Sequence, residues 1–459
     1  MSTFRVTNPV TGETETEFAT LTEAELDDAL NRSANAYEEW RKTPLKERTQ
    51  VLRNFADLIE ERRDDLATVI SREMGKRVVD AKGELQYGID IPIYYADHAE
   101  EFLGDEVRKS TSGGRAIVRK TPVGMLLGVM PWNYPYYQVV RFAAPNLAAG
   151  NVILVKHASQ CPESALLIEQ LFREAGLPEG AYINLFATHE QLERVIADPR
   201  LRGVSITGSE RAGAAVASLA GKHLKKVVLE LGGSDPYLVL ETDDLSDVAF
   251  QCTKARLSNA GQSCNGGKRF IVADHLYDDF VAEFTRTMAA MQPGDPTSND
   301  AGYGPLVSKQ AVDELSAQVQ DALDKGAVAQ TGGQPLDGPG AYFPPTVLTG
   351  VEPGMRAYHE ELFGPVAVVH RVADIDAAVD MANDSPYGLG AAVFHNNPDV
   401  AVDVANRLEA GMVWINEREG GGASLPFGGT KRSGFGRELG PEGFAEFLNR
   451  KLIHFPVQQ

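Results

Sequence analysis

Hydrophobic residues along the chain change their spacing near position 125. Residues 22–110 place apolar side chains three and four positions apart, which is the period of amphipathic helices. From Met125 onward, short apolar runs alternate with longer stretches of helical period. The runs that we predict as buried strands in this first series are MLLGVM, NVILV, YINLF, GVSIT and KVVLEL. This alternation predicts a parallel sheet with helices on both faces.

A second series of the same kind begins after Gly232. Its predicted strands are PYLVL, RFIVA, VAVVHRV, AAVFH and MVWIN, again separated by helical stretches. Two further strand-like stretches, at 115–124 and 450–458, have no evident sheet in either series. The sequence therefore predicts an α/β protein with two doubly wound parallel-sheet domains and a small β-strand arm for oligomerisation.

The net charge of the chain excludes some classes of binding partner, and its cysteine content bears on the cellular compartment. The formal net charge of −20 argues against a nucleic-acid binder and against docking on an anionic membrane. It fits an ordinary acidic surface or one adapted to high salt. Cys161, Cys252 and Cys264 form no zinc-binding pattern, so no metal is expected. The N-terminus has no signal-peptide pattern, and no apolar run reaches roughly 18 residues, so a reducing, cytoplasmic setting is expected.

Cys264 lies in the segment LSNAGQSCNGG, among small and polar residues. A buried structural cysteine usually has aliphatic neighbours, because its thiol behaves as a small hydrophobe. The glycines on both sides let the backbone turn tightly and approach a ligand. Taken alone, the segment is compatible with a structural cysteine as well as with a reactive thiol.

Three polar segments follow predicted strands of the first series, at the sheet edge where open parallel sheets bind ligands. In GVSITGSERAG, Gly208 and Ser209 open a helix whose free N–H groups favour a phosphate, although Ser209 is alternatively only an N-cap. Lys156 ends the strand in NVILVK and either binds ribose hydroxyls or a 2′-phosphate, or extends into solvent. In MPWNYP, Trp132 and Asn133 are either site residues or core and turn residues.

These segments, taken together and in order, resemble the aldehyde dehydrogenase superfamily. The motifs are PWNYP, ITGS, LELGG, NAGQSC, EELFGP and SPYGLGAAVF, and the likeness runs from NPVTGE at 8–13 to GGTKRSGFGREL at 428–439. Each motif is weak alone, but all of them at compatible spacing make a chance resemblance improbable. The segment RFAAPNLAAGNVILVKHAS is similar to the subgroup that oxidises succinate semialdehyde and related ω-carboxy aldehydes.

The resemblance implies a division of labour between the two predicted domains. A dinucleotide-binding domain is expected over 1–105 and 126–231, and a catalytic domain over 232–432. The oligomerisation arm is expected over 106–125 and 433–459. A homodimer or homotetramer is expected, with a small-molecule aldehyde as substrate and no nucleic-acid or membrane partner.

The resemblance also implies oxidation of an aldehyde to its carboxylic acid with NAD or NADP. Cys264 is implied as the nucleophile that converts the planar carbonyl into a thiohemiacetal able to expel hydride. The Asn133 amide and the Cys264 N–H are implied as donors to the oxyanion. Glu230, at the end of its strand, is implied as the base that activates water against the thioester. Glu438 matches a carboxylate that relays protons, with a salt bridge to Arg437 or a neighbour as the alternative.

The residues implied in cofactor binding come from both series. Glu361 matches a carboxylate that holds the nicotinamide ribose, and Phe363 matches a residue that packs against the ring. The other residues implied in cofactor binding are Trp132, Lys156, Ser159, Gly208, Ser209 and Leu231. Many NAD-preferring relatives carry a glutamate at the Ser159 position, where it bonds both adenine-ribose hydroxyls and repels a 2′-phosphate. The small neutral serine of this chain permits either NAD or NADP.

Two positions bear on the substrate. Arg141 matches one of two arginines that hold the distal carboxylate in the succinate-semialdehyde subgroup. The second arginine lies six residues before the nucleophile, and this chain has Ser258 there, so half of the usual clamp is missing. Arg256 is near in sequence but is expected to face elsewhere on its helix. A helix-surface salt bridge is the alternative role for Arg141.

Succinate semialdehyde or a related ω-carboxy aldehyde is therefore the expected substrate, and a broad range of aliphatic or aromatic aldehydes is the alternative. A CoA-acylating relative would lack the base at Glu230. A non-catalytic relative would not need to keep Cys264, Glu230 and Asn133 together.

Overall fold

The computed structural model describes residues 4–111, 114–298 and 300–456. Within these ranges the chain forms five β-sheets, two of which are large. In chain order, the strands are β1 Phe4–Thr7, β2 Thr14–Phe18, β3 Glu106–Lys109, β4 Arg115–Pro122, β5 Met125–Val129, β6 Val152–Lys156, β7 Tyr182–Asn184, β8 Leu201–Thr207, β9 Lys226–Glu230, β10 Pro236–Val239, β11 Arg269–Ala273, β12 Val328–Thr331, β13 Thr346–Thr349, β14 Val366–Val372, β15 Tyr387–Gly388, β16 Gly390–Phe394, β17 Met412–Ile415, β18 Thr430–Lys431, β19 Gly434–Phe435 and β20 Leu448–Phe455. The helices are α1 Glu23–Trp40, α2 Leu45–Glu61, α3 Arg63–Met74, α4 Val78–Leu103, α5 Tyr137–Ala149, α6 Pro162–Glu174, α7 His189–Ala197, α8 Glu210–Lys222, α9 Leu245–Leu257, α10 Asp274–Ala290, α11 Lys309–Asp324, α12 Arg356–His359, α13 Ile375–Asn383, α14 Pro398–Arg407 and α15 Gly440–Ala445.

The first large sheet has six strands in the order β19-β9-β8-β5-β6-β7. Its five longer strands run parallel, and β19 adds an antiparallel edge next to β9. Strands β5 and β6 are apolar and almost entirely buried, as expected for central parallel strands covered by helices. All five strands predicted in the first series are present, and the parallel arrangement is confirmed.

The second large sheet has seven strands in the order β12-β13-β14-β11-β10-β16-β17. The five strands predicted in the second series are confirmed, and they pair in parallel. Strands β12 and β13 were not predicted. Both have only four residues, and β12 alternates exposed and half-buried positions at the sheet edge, so the sequence carries little periodic signal there.

A separate three-stranded antiparallel sheet joins the two stretches that fitted neither series. Strand β4 pairs with β20 on one side and with β3 on the other. Strand β3 corrects the prediction of helices throughout 22–110, because the last helix ends at Leu103. We call β3, β4 and β20 the arm sheet. Residues 112–113 and 457–459 of the predicted arm ranges lie outside the described residues.

The arm sheet is shorter at its C-terminal side than the predicted range 433–459. Strand β19 hydrogen-bonds to β9 in the six-stranded sheet, and α15 packs against α5. The arm strand itself begins only at Leu448. Local sequence does not show this, because β19 has two residues and α15 has six.

An N-terminal hairpin, β1 and β2, was also missed by the sequence analysis. Its strands have four and five residues and are largely polar on the exposed side. The Phe4 ring packs 4.7 Å from that of Phe186, and the Arg5 N–H donates to Ser159 O over 2.9 Å. The hairpin therefore covers the end of the six-stranded sheet next to Lys156.

None of the described helices is both long and apolar enough to cross a membrane. Across the described residues, no group of three or more His, Cys, Asp or Glu side chains is arranged to hold a metal ion.

Candidate active site

Cys264 lies in the wall of a cavity of 580 Å³, which we call the central cavity. The wall combines α4, the start of α5, the segment around Cys264 and the loop after β17. Its residues include Glu84, Tyr134, Tyr137, Arg141, Ser258, Cys264, Arg418 and Phe427. The structure thus brings Arg141 and Ser258, both predicted at the substrate, into one cavity with the predicted nucleophile.

The Cys264 thiol faces two opposing electrostatic effects. Burial raises its pKa to about 12, because the thiolate loses hydration. The positive charges of Arg141 and Lys268 act in the other direction and favour the thiolate. Cys161 and Cys252 are fully buried outside the cavity, and burial also raises their pKa values. Cys264 is therefore the thiol with both access and a positive environment.

The segment 261–267, which we call the nucleophile loop, has its carbonyl groups fixed by buried side chains. The Asn133 amide donates to Gln262 O over 3.1 Å. Arg256 donates to Gly261 O and Gly267 O, and Lys268 donates to Ser263 O and Cys264 O. These donors satisfy buried carbonyls that no regular secondary structure could satisfy.

These hydrogen bonds show which groups Arg256 and Asn133 contact. Arg256 does face away from the central cavity, as predicted, but it is buried and holds the nucleophile loop. Asn133 is next to that loop, and one N–H of its amide is used for Gln262 O. Among the described residues, the Cys264 N–H has no hydrogen bond.

The backbone just before the nucleophile loop is strained. Asn259 and Ala260 have φ values of 50° and 54°, in the left-handed region that disfavours residues with a Cβ. Gly261 follows with φ 78°, and a side chain there would overlap the carbonyl of Gly364. The strain persists because Asn259 donates to Asn133 O and Gln262 O. No periodic pattern in the sequence signals it.

Glu230 ends β9, as predicted, and its carboxyl group is buried without a hydrogen-bond partner among the described residues. Burial raises its pKa well above the usual value. The carboxyl lies against Gly428 and close to the charges of Arg141 and Glu438. It does not line the central cavity, although its neighbour Arg141 does.

Arg141 is buried, contrary to the helix-surface alternative. Its guanidinium forms an ion pair with Glu438 and lies 4.4 Å above the Phe427 ring. Glu438 also accepts from Ser205 Oγ over 3.2 Å, so its ion-pair partner is Arg141 and not Arg437. The Nη1 group of Arg141 has no hydrogen-bond partner among the described residues, which leaves a buried donor for an anion.

Trp132, Phe363 and Glu361 join the two large sheets. The rings of Trp132 and Phe363 meet edge to face with centroids 5.6 Å apart. Glu361 accepts from the Gly233 N–H over 3.1 Å and lies 3.4 Å from Lys268 Nζ. A side chain at Gly232 would overlap the Glu361 carboxylate and force it to move. Trp132 and Phe363, which were both implied in cofactor binding, therefore lie in contact.

The other predicted cofactor residues lie at the ends of β6, β8 and β9. Ser209 caps α8 by accepting from Ala212 N, and space is open beside Gly208. Leu231 packs onto Gly213 at the start of α8. Lys156 lies over the Phe4 ring and has no ion pair among the described residues; burial lowers its pKa.

Several cavity residues were missed by the sequence analysis. Lys76 and Glu84 form a buried ion pair, and Lys76 Nζ lies 3.7 Å from the centre of the Tyr134 ring. Arg418 enters the cavity wall from the loop after β17 and contacts Glu419 at 3.4 Å. These residues come from helices and loops far apart in sequence, and no local motif marked them.

Comparison with known protein families matches residues 1–453 to the Aldehyde dehydrogenase family. The chain belongs to the aldehyde dehydrogenase family. Among curated relatives of this aldehyde dehydrogenase, succinate-semialdehyde dehydrogenase [NADP(+)] of Deinococcus radiodurans is 53% identical over 457 residues, covering 99% of this chain and 96% of that protein. A probable succinate-semialdehyde dehydrogenase [NADP(+)] of Synechocystis is 43% identical, covering 97% and 98% of the two chains.

Solved structures show the same likeness. Succinic semialdehyde dehydrogenase from Streptococcus pyogenes, in complex with NADP+ as the cofactor, superposes with a TM-score of 0.97 and is 41% identical, covering 99% of this chain and all of that one. A lactaldehyde dehydrogenase superposes with a TM-score of 0.96 at 31% identity, covering 99% and 96%. The predicted family and the predicted α/β fold class are confirmed.

Proposed function

We propose that this aldehyde dehydrogenase oxidises succinate semialdehyde to succinate with NADP+. The observation that carries the proposal is the Cys264 thiol in the wall of the central cavity, on a loop held by Asn133, with the buried cation of Arg141 in the same wall. The names of the similar proteins point to the same substrate and cofactor. A broad aliphatic or aromatic aldehyde remains the second candidate, because Ser258 leaves the carboxylate clamp incomplete.

The chemistry begins at Cys264. The thiolate attacks the aldehyde carbon, a C–S bond forms, and the carbonyl oxygen becomes an oxyanion. The second N–H of the Asn133 amide and the free N–H of Cys264 are the donors for that oxygen. When bound, the oxidised nicotinamide supplies the acceptor for the hydride from this carbon. Loss of hydride re-forms the C=O bond and leaves a thioester on Cys264.

The thioester is then hydrolysed with Glu230 as the base. Water adds to the thioester carbon, Glu230 takes a proton from the water, and the C–S bond breaks to release the acid and the Cys264 thiolate. For this step the Glu230 side chain must turn from Gly428 toward the central cavity and lose its proton. The Glu438 carboxylate, held by Arg141, lies next to it and would accept that proton.

The residues at the strand ends fit NADP+. Lys156 supplies an ammonium that has no ion pair among the described residues, Ser159 is small and neutral, and Ser209 opens a helix N-terminus. Together they would hold a 2′-phosphate and the ribose beside it without a competing carboxylate. The Glu361 carboxylate would accept hydrogen bonds from the hydroxyl groups of the nicotinamide ribose, and Phe363 would pack against the nicotinamide ring.

The first test is the variant Cys264→Ala. We expect less than about 1% of wild-type dehydrogenase activity with succinate semialdehyde, because loss of the nucleophile removes the covalent path. Cofactor binding, followed by fluorescence, should be unchanged. The matched control is Cys252→Ala, which removes a buried thiol outside the cavity and should leave turnover near wild type. Substantial activity in Cys264→Ala would refute the proposed chemistry.

The second test concerns the substrate. If Arg141 Nη1 binds the distal carboxylate, Arg141→Met should raise KM for succinate semialdehyde about ten- to a hundredfold, since charge-assisted hydrogen bonds contribute about 1.5–3 kcal/mol. KM for butanal should hardly change. Glu438→Gln is the control for KM alone, because it breaks the same ion pair and keeps the arginine, whereas its turnover with either aldehyde is expected to fall through loss of the proton relay. Equal losses with both aldehydes, or a wild type that prefers butanal, would favour the broad-specificity alternative.

We also propose the following organisation. The six-stranded sheet with its helices binds the cofactor, the seven-stranded sheet carries the nucleophile, and the arm sheet joins subunits of a homodimer or homotetramer. The segment 434–447 packs with the six-stranded sheet and its helix α5. Three unpaired cysteines fit a reducing, cytoplasmic compartment.

A further inference from the structure

Lys268 has a position that the proposed chemistry has not used. It follows the nucleophile loop directly and precedes β11, and its side chain is only 1% exposed. The ammonium donates to Ser263 O over 2.9 Å and to Cys264 O over 2.8 Å, and it lies 3.4 Å from Gly266 O. One buried cation therefore holds the backbone of the nucleophile itself.

The same ammonium reaches the cofactor side of the site. It lies 3.4 Å from Oε1 of Glu361, the oxygen that also accepts from Gly233 N. Gly233 belongs to the turn that directly follows Glu230. A single side chain thus contacts the nucleophile loop and the carboxylate proposed to bind the nicotinamide ribose.

The charge of Lys268 is costly to keep. Burial of an ammonium carries a large desolvation penalty, and burial lowers the pKa of Lys268, an effect that Glu361 opposes. A neutral donor would satisfy a single carbonyl group without this penalty. The buried charge therefore calls for a role beyond local hydrogen bonding.

We infer that Lys268 is a positioning residue that fixes the nucleophile loop against the Glu361 carboxylate and so sets the distance between the Cys264 thiol and the nicotinamide. This inference rests on the proposed function, since Glu361 is assigned to the cofactor there. Its cation also favours the Cys264 thiolate. Removing the charge should disturb thiol reactivity and cofactor binding together.

The test uses alkylation of Cys264 by iodoacetamide between pH 7 and 10, which needs neither aldehyde nor cofactor. In Lys268→Met the thiol loses a nearby positive charge, its pKa rises, and the thiolate fraction at any fixed pH falls. We expect alkylation to be roughly tenfold slower than in wild type at each pH in this range. The curve of alkylation rate against pH would then lie about one pH unit higher than in wild type. Lys268→Arg keeps the charge and should recover most of the rate.

Arg256→Met is the matched control. It removes another buried cation that holds carbonyls of the nucleophile loop, at Gly261 and Gly267, but Arg256 is not among the charges that act most strongly on the Cys264 thiol. Loosening of the loop alone would expose the thiol and speed alkylation in both variants. A pH displacement in Lys268→Met that Arg256→Met lacks supports the inference.

A second measurement tests the link to Glu361. NADP+ affinity is measured by fluorescence for Lys268→Met, Glu361→Gln and the double variant. Because the two side chains act through one contact, each single variant should weaken NADP+ several-fold, and the double variant should lose less than the product of the two. Additive losses, or an unchanged affinity in Lys268→Met, would overturn the inference.

These outcomes are separate from the fate of the proposed function. The function would be refuted if the wild-type protein is alkylated at Cys264 and binds NADP+ but oxidises no aldehyde. Both measurements would still test the role of Lys268 in that case, because neither needs turnover. Active enzyme in which Lys268→Met alkylates and binds NADP+ as wild type does would refute only the role of Lys268.

Discussion

Ser159, three residues after Lys156, is the position at which we expect a single side chain to govern cofactor preference. Ser159→Glu would place a carboxylate against a 2′-phosphate, whereas ribose hydroxyls would still find an acceptor. Like-charge contact in a partly buried site costs about 1–3 kcal/mol, so NADP+ should bind roughly tenfold or more weakly while NAD+ changes little. Kd values for both cofactors, measured by fluorescence, check this.

Ser159→Gln is the neutral control, because it adds nearly the same volume without charge. If Ser159→Glu and Ser159→Gln weaken NADP+ equally, the effect is steric. If neither changes the Kd of either cofactor, Ser159 does not face the adenine ribose.

At the scale of the element, β14 carries a buried histidine, from which we expect folding stability to depend on pH. His370 pairs with Ile271 of β11, and burial together with Arg269 lowers its pKa to about 4. Between pH 6.5 and 4 the unfolded chain binds a proton at this position that the folded chain does not. Folding stability therefore falls as the pH drops through this window.

His370→Gln removes that proton linkage. At pH 5 the wild-type penalty amounts to about 2 kcal/mol, so the stability of His370→Gln relative to wild type should improve by that amount between pH 7.5 and pH 5. Thermal unfolding midpoints at the two pH values measure the change. His189→Gln, on the exposed start of α7, is the control and should track wild type. A constant difference between His370→Gln and wild type at both pH values would contradict the assignment.

For the whole molecule, the arm sheet offers an apolar surface that a single subunit leaves open. Val107 and Leu452, on its two outer strands, are 67% and 66% exposed. Unpaired strand edges and exposed apolar side chains are typical of interfaces. We expect Leu452→Asp to lower the oligomeric mass measured by light scattering after size exclusion. Leu224→Asp, at a position 93% exposed outside the arm, is the control, and an equal mass for both variants would contradict the proposed role of the arm.

The sequence by itself determined the alternation of strands and helices and the placement of Cys264 and Glu230 at strand ends and loops. The hydrophobic period and the short motifs involve residues that are close together in the sequence, so they can be read without the fold. The strands of both series and the resemblance to the family can therefore be predicted from the sequence alone. The proposed roles of the site residues remain predictions that the variants above test.

Only the tertiary structure decided which distant residues meet. Arg141 finds its counter-charge in Glu438, and Lys268 finds Glu361, across large separations in sequence. The strained backbone at Ala260 depends on Asn133 and Asn259, and the short strands of the N-terminal hairpin and the arm depend on partners elsewhere. Such contacts leave no period in the sequence, because their energy comes from packing and desolvation that exist only once the two sheets and their loops have come together.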